Sequence, residues 1–150
     1  MTIKQKGNSV IRNQSLARKR PFSSVWQAAT MLDCTERRIY HYIQEGRLPL
    51  AFDISRPGCE RACIRMATAS VVALQRVRLP SSELAPFLAL VAPETQFSYR
   101  APQLARLLQC DLDHIYRLVA SKMLEDVGGP TRYRVPRASV LRFLTERRVK

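Results

Sequence analysis

The chain carries one passage twice, and this repeat limits what it can fold into more than any other feature. Residues 24–49 read SVWQAATMLDCTERRIYHYIQEGRLP, and residues 100–125 read RAPQLARLLQCDLDHIYRLVASKMLE. At a constant offset of 76, Gln27 meets Gln103, Ala29 meets Ala105, Leu32 meets Leu108 and Cys34 meets Cys110. Ile39 then falls on Ile115, Tyr40 on Tyr116 and Leu48 on Leu124. The register resumes at an offset of 69, with Arg65 on Arg134, Ala69 on Ala138, Ser70 on Ser139 and Val71 on Val140. Two copies in 150 residues predict two small domains. Each would be about 55 residues long, near the lower limit for an independent core, so each should lean on its neighbour or on the linker. The expected boundaries are a flexible basic arm over 1–20, a domain over 21–79, a linker over 80–97 and a second domain over 98–150.

Local signals give the same plan in both copies. Ser24 with Gln27 three residues later forms a capping box, which predicts a helix from Val25 to Leu32. Thr35 can cap a second helix from Glu36 to Glu45, ended by Gly46, with Ile39, Tyr42 and Ile43 on its apolar face. Two short helices joined by so few residues make a helix-turn-helix. The segments 50–54 and 62–66 flank a Pro-Gly turn and predict a β-hairpin wing, and a closing helix follows from Thr68 to Val77. In the second copy Pro102 suits a first helical turn, Asp111 can cap the next helix, and residues 126–135 form a shorter hairpin with a Gly-Gly tip. Pro136 then opens the last helix, with Val140, Leu141, Phe143 and Leu144 facing inward. The fold class is therefore mainly α with small β-hairpin wings: two tandem winged helix-turn-helix domains.

The linker LPSSELAPFLALVAPE is punctuated by Pro80, Pro86 and Pro93, which leaves room only for a short helix from Ala85 to Val91. Its Leu84, Phe87, Leu88, Leu90 and Val91 are too apolar for a free tether. Packing between the two copies is favoured, and a dimer contact is the alternative.

Charge indicates the partner. Lys and Arg number 25 against 12 Asp and Glu, a net charge of +13. Such a chain attracts polyanions, with counterion release supplying affinity. Six basic residues and no acid fall in the first 20 positions, where Arg18, Lys19 and Arg20 form a phosphate-tracking cluster. No apolar run approaches a membrane span, and the start MTIKQKGNSV does not read as a secretory signal, so a cytoplasmic, nucleoid-associated protein without membrane contact is expected. The four cysteines read as reduced thiols, Cys34 and Cys110 in equivalent apolar slots. Cys59 and Cys63 lack two further ligands at metal-site spacing, and no cofactor is expected.

At TERRIYHYIQEGRLP the chain resembles the helix-turn-helix core of MerR-type regulators and phage excisionases. Gly-Gly-Pro-Thr-Arg-Tyr-Arg-Val-Pro-Arg-Ala-Ser-Val-Leu resembles the wing and closing helix of excisionase-like proteins. The resemblance implies that the second helix enters the major groove, that the wing touches the neighbouring minor groove or backbone, and that Tyr40 contacts phosphate. The residues agree. With Ile39, Tyr42 and Ile43 inward, the outward face shows Arg37, Arg38, His41 and Gln44. Arg can bond guanine and Gln can bond adenine in bidentate fashion. Arg56, Arg61 and Arg65 give the first wing phosphate-binding capacity. The second copy offers His114, Tyr116, Arg117 and Lys122, with Arg132 and Arg134 on its wing, but Asp113 would repel phosphate. Whether that copy reads bases or only grips the backbone stays open.

No Gly-rich phosphate loop, ligand cluster or activated nucleophile appears at motif spacing, so no enzymatic role is expected. The expectation is a sequence-specific double-stranded DNA-binding protein, either a transcriptional regulator or an excisionase-type architectural factor of a mobile element. A recombinase or RNA polymerase would be its protein partner, and self-association along DNA is a further option. The alternatives are a protein–protein adaptor that recruits a recombinase, polymerase or partition partner, or a DNA-packaging or partition component.

Overall fold

The computed structural model describes residues 16–128 and 132–150. Residues 1–15 of the expected arm lie outside that range, and residues 16–19 form a helical turn that leaves Arg18, Lys19 and Arg20 exposed. The elements are β1 (Phe22–Ser24), α1 (Val25–Leu32), α2 (Glu36–Gln44), β2 (Ala51–Asp53), β3 (Ile64–Ala67), α3 (Thr68–Gln75) and α4 (Leu84–Val91). They continue with β4 (Ser98–Arg100), α5 (Ala101–Leu108), α6 (Leu112–Ala120), β5 (Arg134–Pro136) and α7 (Arg137–Glu146). The architecture is mixed helical with small antiparallel strands, consistent with a winged helix-turn-helix.

The caps and turns of the first repeat recur in the second. The Ser24 hydroxyl accepts from the Gln27 N–H at 3.2 Å while Gln27 Oε1 accepts from the Ser24 N–H at 2.9 Å. Gln103 Oε1 accepts from the Arg100 N–H at 2.8 Å, but Arg100 has no acceptor to return the bond, so only half the box is made. Asp33 (φ 50°) and Gln109 (φ 54°) end α1 and α5 in the left-handed region. The Cys34 N–H then reaches the Ala29 carbonyl, and the Cys110 N–H the Ala105 carbonyl, both at 3.0 Å. After the second helix Gly46 (φ 73°) and Lys122 (φ 60°) make the same turn. That turn drops Leu48 and Leu124 into the interior, each 1% exposed.

Two differences from the sequence reading concern strands. Phe22–Ser24 adds a third strand to the expected first hairpin, in the order β1-β3-β2, with Phe22 opposite Ala67 and Ser24 opposite Arg65. In the second repeat β5 pairs with β4, Tyr99 opposite Val135, not with residues 126–128. The 126–135 loop is instead closed by the Val127 N–H on the Arg134 carbonyl at 2.9 Å and by Asp126 Oδ1 accepting from the Arg134 N–H at 2.8 Å. Its Gly-Gly tip falls partly outside the described residues. Three-residue strands are too short to declare themselves by alternation. Asp111 also makes no side-chain cap, although it holds the N-cap position of α6. The α3 helix stops at Gln75, and Val77 turns left-handed at φ 56°.

The first sheet lies between two cores because its strands alternate. Ala51, Ile64 and Met66 join Val25, Ala28, Ile39, Leu48 and Val71 on one side. Phe22, Leu50, Phe52, Ile54 and Ala67 face the other way, into a cluster shared with Phe87 and Val91 of α4 and with Leu104, Leu108, Ile115, Val135 and Phe143 of the second repeat. The rings of Phe22, Phe52 and Phe87 meet at the centre, with centroids 5.3–5.7 Å apart. The linker helix therefore packs between the repeats, as its apolar composition requires.

The C-terminal residues cover the outer edge of β2. The Asp53 N–H donates to the Arg147 carbonyl at 2.9 Å, and the Val149 N–H donates to the Ala51 carbonyl at 2.8 Å. The Arg147 guanidinium then bonds the Asp53 and Ser55 carbonyls at 2.8 and 3.0 Å. An edge so paired cannot recruit another strand. Asp53 Oδ1 ties the wing base by accepting from the Ser55 N–H at 2.9 Å and the Cys63 N–H at 3.4 Å. Burial alone would raise this carboxyl, but those bonds and the nearby Arg147 outweigh it and hold the group below its usual range. A depressed carboxylate contributes stability above its unfolded value, lost as pH falls through the folded one. Asp53→Ala should therefore lower stability by about 1 kcal/mol at pH 7, with the gap from wild type closing below about pH 4 in urea titrations. An equal gap at both pH values would refute the assignment.

Candidate nucleic-acid interface

The α2 helix presents a face that folding leaves open. Ile39 is fully buried, and Tyr42 and Ile43 pack against the first core, which turns Arg37, Arg38, His41 and Gln44 outward. Thr35 fixes the start of the helix by accepting from the Arg38 N–H at 3.3 Å. The guanidinium of Arg38 lies 5.2 Å from the Tyr42 ring centre, and that of Arg47 lies 4.5 Å from it. These contacts steer two cations along one edge of the helix without removing them from solvent. The side chains of Arg37, His41 and Gln44 engage no protein partner among the described residues.

Two grooves flank the helix-turn-helix units at equivalent places. The first, of about 480 Å³, lies among Trp26 on α1, Tyr40 on α2, and Arg56, Arg61 and Arg65 of the wing, with Asp111, Asp113, His114 and Arg117 of the second repeat on its far side. The second, of about 450 Å³, lies among Arg100 and Pro102 at the start of α5, Tyr116 on α6, and Arg132, Tyr133 and Arg134. Tyr40 and Tyr116 occupy the same repeat position, as do Arg65 and Arg134. Tyrosine hydroxyls and arginine forks converging in a shallow groove suit phosphate oxygens. In the second groove the Tyr116 ring rests on Tyr133, with centroids 5.0 Å apart.

The equivalence stops where the second repeat covers the first groove. Arg65 lies opposite Phe52 and Ser24 in the sheet, on the face turned toward the second repeat. Its Nε donates to the Leu108 carbonyl at 2.9 Å and its Nη2 to the Gln109 carbonyl at 2.6 Å, which satisfies the free C-terminal end of α5. The sequence placed Arg65 on phosphate; each of its three nitrogens donates instead to a backbone carbonyl, Nη1 to that of Ile64. His114, also expected on DNA, lies 2.6 Å through Nε2 from the Ile54 carbonyl of the first repeat, so that nitrogen carries the proton. Arg117 pairs with Asp113 at 2.8 Å on the exposed side of α6. Arg134, which is half-buried, lines its groove, with Nη1 3.4 Å from the Ser98 hydroxyl. Arg56 is half-buried, while Arg61, Lys122 and Arg132 are exposed.

Two groove residues escaped the sequence reading. Trp26 is 66% exposed and Arg100 occupies the position of Ser24. Trp26 falls off the Val25–Ala28–Ala29 face, and that displacement was the available signal. Burial pushes the Cys110 thiol up to about 12 and raises that of Cys34, so both stay protonated at neutral pH as core groups. Among the described residues no helix is long and apolar enough to cross a membrane.

Comparison with known proteins adds one finding. No curated protein and no solved structure matches the chain. Residues 98–148, the second repeat, match the family model described as a helix-turn-helix domain.

Proposed function

We propose that the chain is a sequence-specific double-stranded DNA-binding protein made of two tandem winged helix-turn-helix domains, over 21–79 and 98–150. The α2 helix enters the major groove and reads bases through Arg37, Arg38, His41 and Gln44. The two grooves take backbone phosphates, with Tyr40, Arg56 and Arg61 in one and Tyr116, Arg132 and Arg134 in the other. Lys122 and the basic cluster Arg18, Lys19 and Arg20 add unspecific attraction. One observation carries this reading: Tyr40 and Tyr116, equivalent in the repeat, each lie in an arginine-lined groove beside a helix-turn-helix. The protein acts as a transcriptional regulator or an excisionase-type architectural factor, a choice supported by family resemblance alone.

The test is the salt dependence of binding to duplex DNA that flanks the protein's own gene. Six or more phosphate contacts predict a loss of about 10³-fold or more in affinity between roughly 50 and 200 mM salt. A shallow slope, equal to about one or two contacts, would defeat the reading.

A further inference from the structure

We infer that α6 is a docking helix, so that base reading is confined to α2 and the recognised site is asymmetric. The inference rests on the DNA-binding reading above and specifies what kind of duplex it takes. At the offset of 76, Arg37, Arg38, His41 and Gln44 of α2 correspond to Asp113, His114, Arg117 and Ala120 of α6. The replacements leave a weaker face than that of α2, although Asp113 can still accept from cytosine and Arg117 can still donate to guanine. Asp113 opposes phosphate, and Ala120 has no hydrogen-bonding group. His114 is held 2.6 Å from the Ile54 carbonyl, and Arg117 makes an exposed ion pair with Asp113 at 2.8 Å.

Placement weighs against reading as well. A recognition helix contacts base edges with its N-terminal residues. In α6 those residues (Asp113, His114 and, one turn on, Arg117) form a wall of the first groove opposite Arg56 and Arg61. Arg65 fastens the same junction from the other side through the carbonyls of Leu108 and Gln109. The His114 ring, bonded to the first repeat, is thereby turned away from a base edge, while Asp113 and Arg117 stay exposed beside the groove. The second groove, around Tyr116, Arg132 and Arg134, stays open. It touches backbone chemistry common to every sequence. The favoured duplex thus carries one block of specified bases beside a flank that is held without regard to sequence.

The experiment selects duplexes from a randomised pool with the full chain and then substitutes each base pair of the winner. One contiguous block should be sensitive, with about tenfold loss or more at its central pairs. Flanking pairs should tolerate any base, although trimming the flank should weaken binding. A base-pair insertion beside the block should leave affinity unchanged. Asp113→Asn should raise affinity for all duplexes alike and keep their ranking. Two sensitive blocks, an insertion that abolishes binding, or a change in base ranking with Asp113→Asn would each overturn the inference and leave DNA binding standing. Failure to enrich any duplex would overturn the DNA-binding reading itself, and this inference with it.

Discussion

Phe52→Ala should destabilise both repeats together, at a cost of about 3–5 kcal/mol. Phe52 is fully buried, stacks on Phe87 with centroids 5.7 Å apart and meets Phe22 edge-on at the same distance. Its ring thus links the first sheet to the linker helix, and that helix belongs to the cluster containing Leu104, Ile115 and Phe143. Removal leaves a cavity among aromatic neighbours that strands and a helix hold in place, so collapse can fill little of it. A domain stable by about 5–15 kcal/mol loses a large share of its margin by this change. Calorimetry of the full chain should show one transition in wild type and one, shifted down, in the variant. Ile39→Ala, in the other core, serves as the comparison: it should also move the single transition, because the first sheet contributes to both cores. Two transitions in the Phe52 variant, one of them at the wild-type temperature, would show that the repeats fold separately and that the aromatic junction is incidental.

The parts legible in the sequence are those fixed by local chemistry. Ser24 and Gln27 announced the start of α1, Thr35 that of α2, and Gly46 its end. Helical spacing placed Ile39, Ile115, Leu118, Val140 and Leu144 inside. What could not be read depends on pairs of residues far apart in the chain. Arg65 and Arg134 are equivalent in the repeat and look alike as wing cations. Only the packing of α5 against the first sheet turns the former into a helix cap while the latter stays on a groove. His114 shares that origin, since its acceptor is a carbonyl 60 residues away. The strand Phe22–Ser24 was hidden beneath a capping signal, because Ser24 both ends the strand and starts the helix. Arg147 and Arg148 belong to the same class as Arg65 and His114, since their carbonyl partners at Asp53, Ser55 and Pro49 lie far back in the chain, in the first repeat.

Replacing Arg37, Arg38 and His41 together by alanine should abolish base discrimination while leaving the fold intact. All three are exposed on α2, and alanine is the best helix former, so the melting temperature should hold. Loss of the Arg38 contact with the Tyr42 ring removes only an exposed interaction, one that Arg47 also makes with that ring. Each well-formed bidentate pair to a base is worth about 1–3 kcal/mol of discrimination, so the preferred duplex should lose roughly two orders of magnitude or more in affinity. Binding to an unrelated duplex should fall far less, because the wing arginines and the second groove are untouched. Its salt slope should shrink only by the few contacts removed. The two measurements separate reading from gripping. A triple variant that still prefers the wild-type duplex by the full ratio would show that α2 is not the reader. A variant that loses both duplexes equally would make α2 a contributor of charge alone. The expected pattern, in which preference is lost and attraction survives, requires base contacts on α2 and phosphate contacts in the grooves.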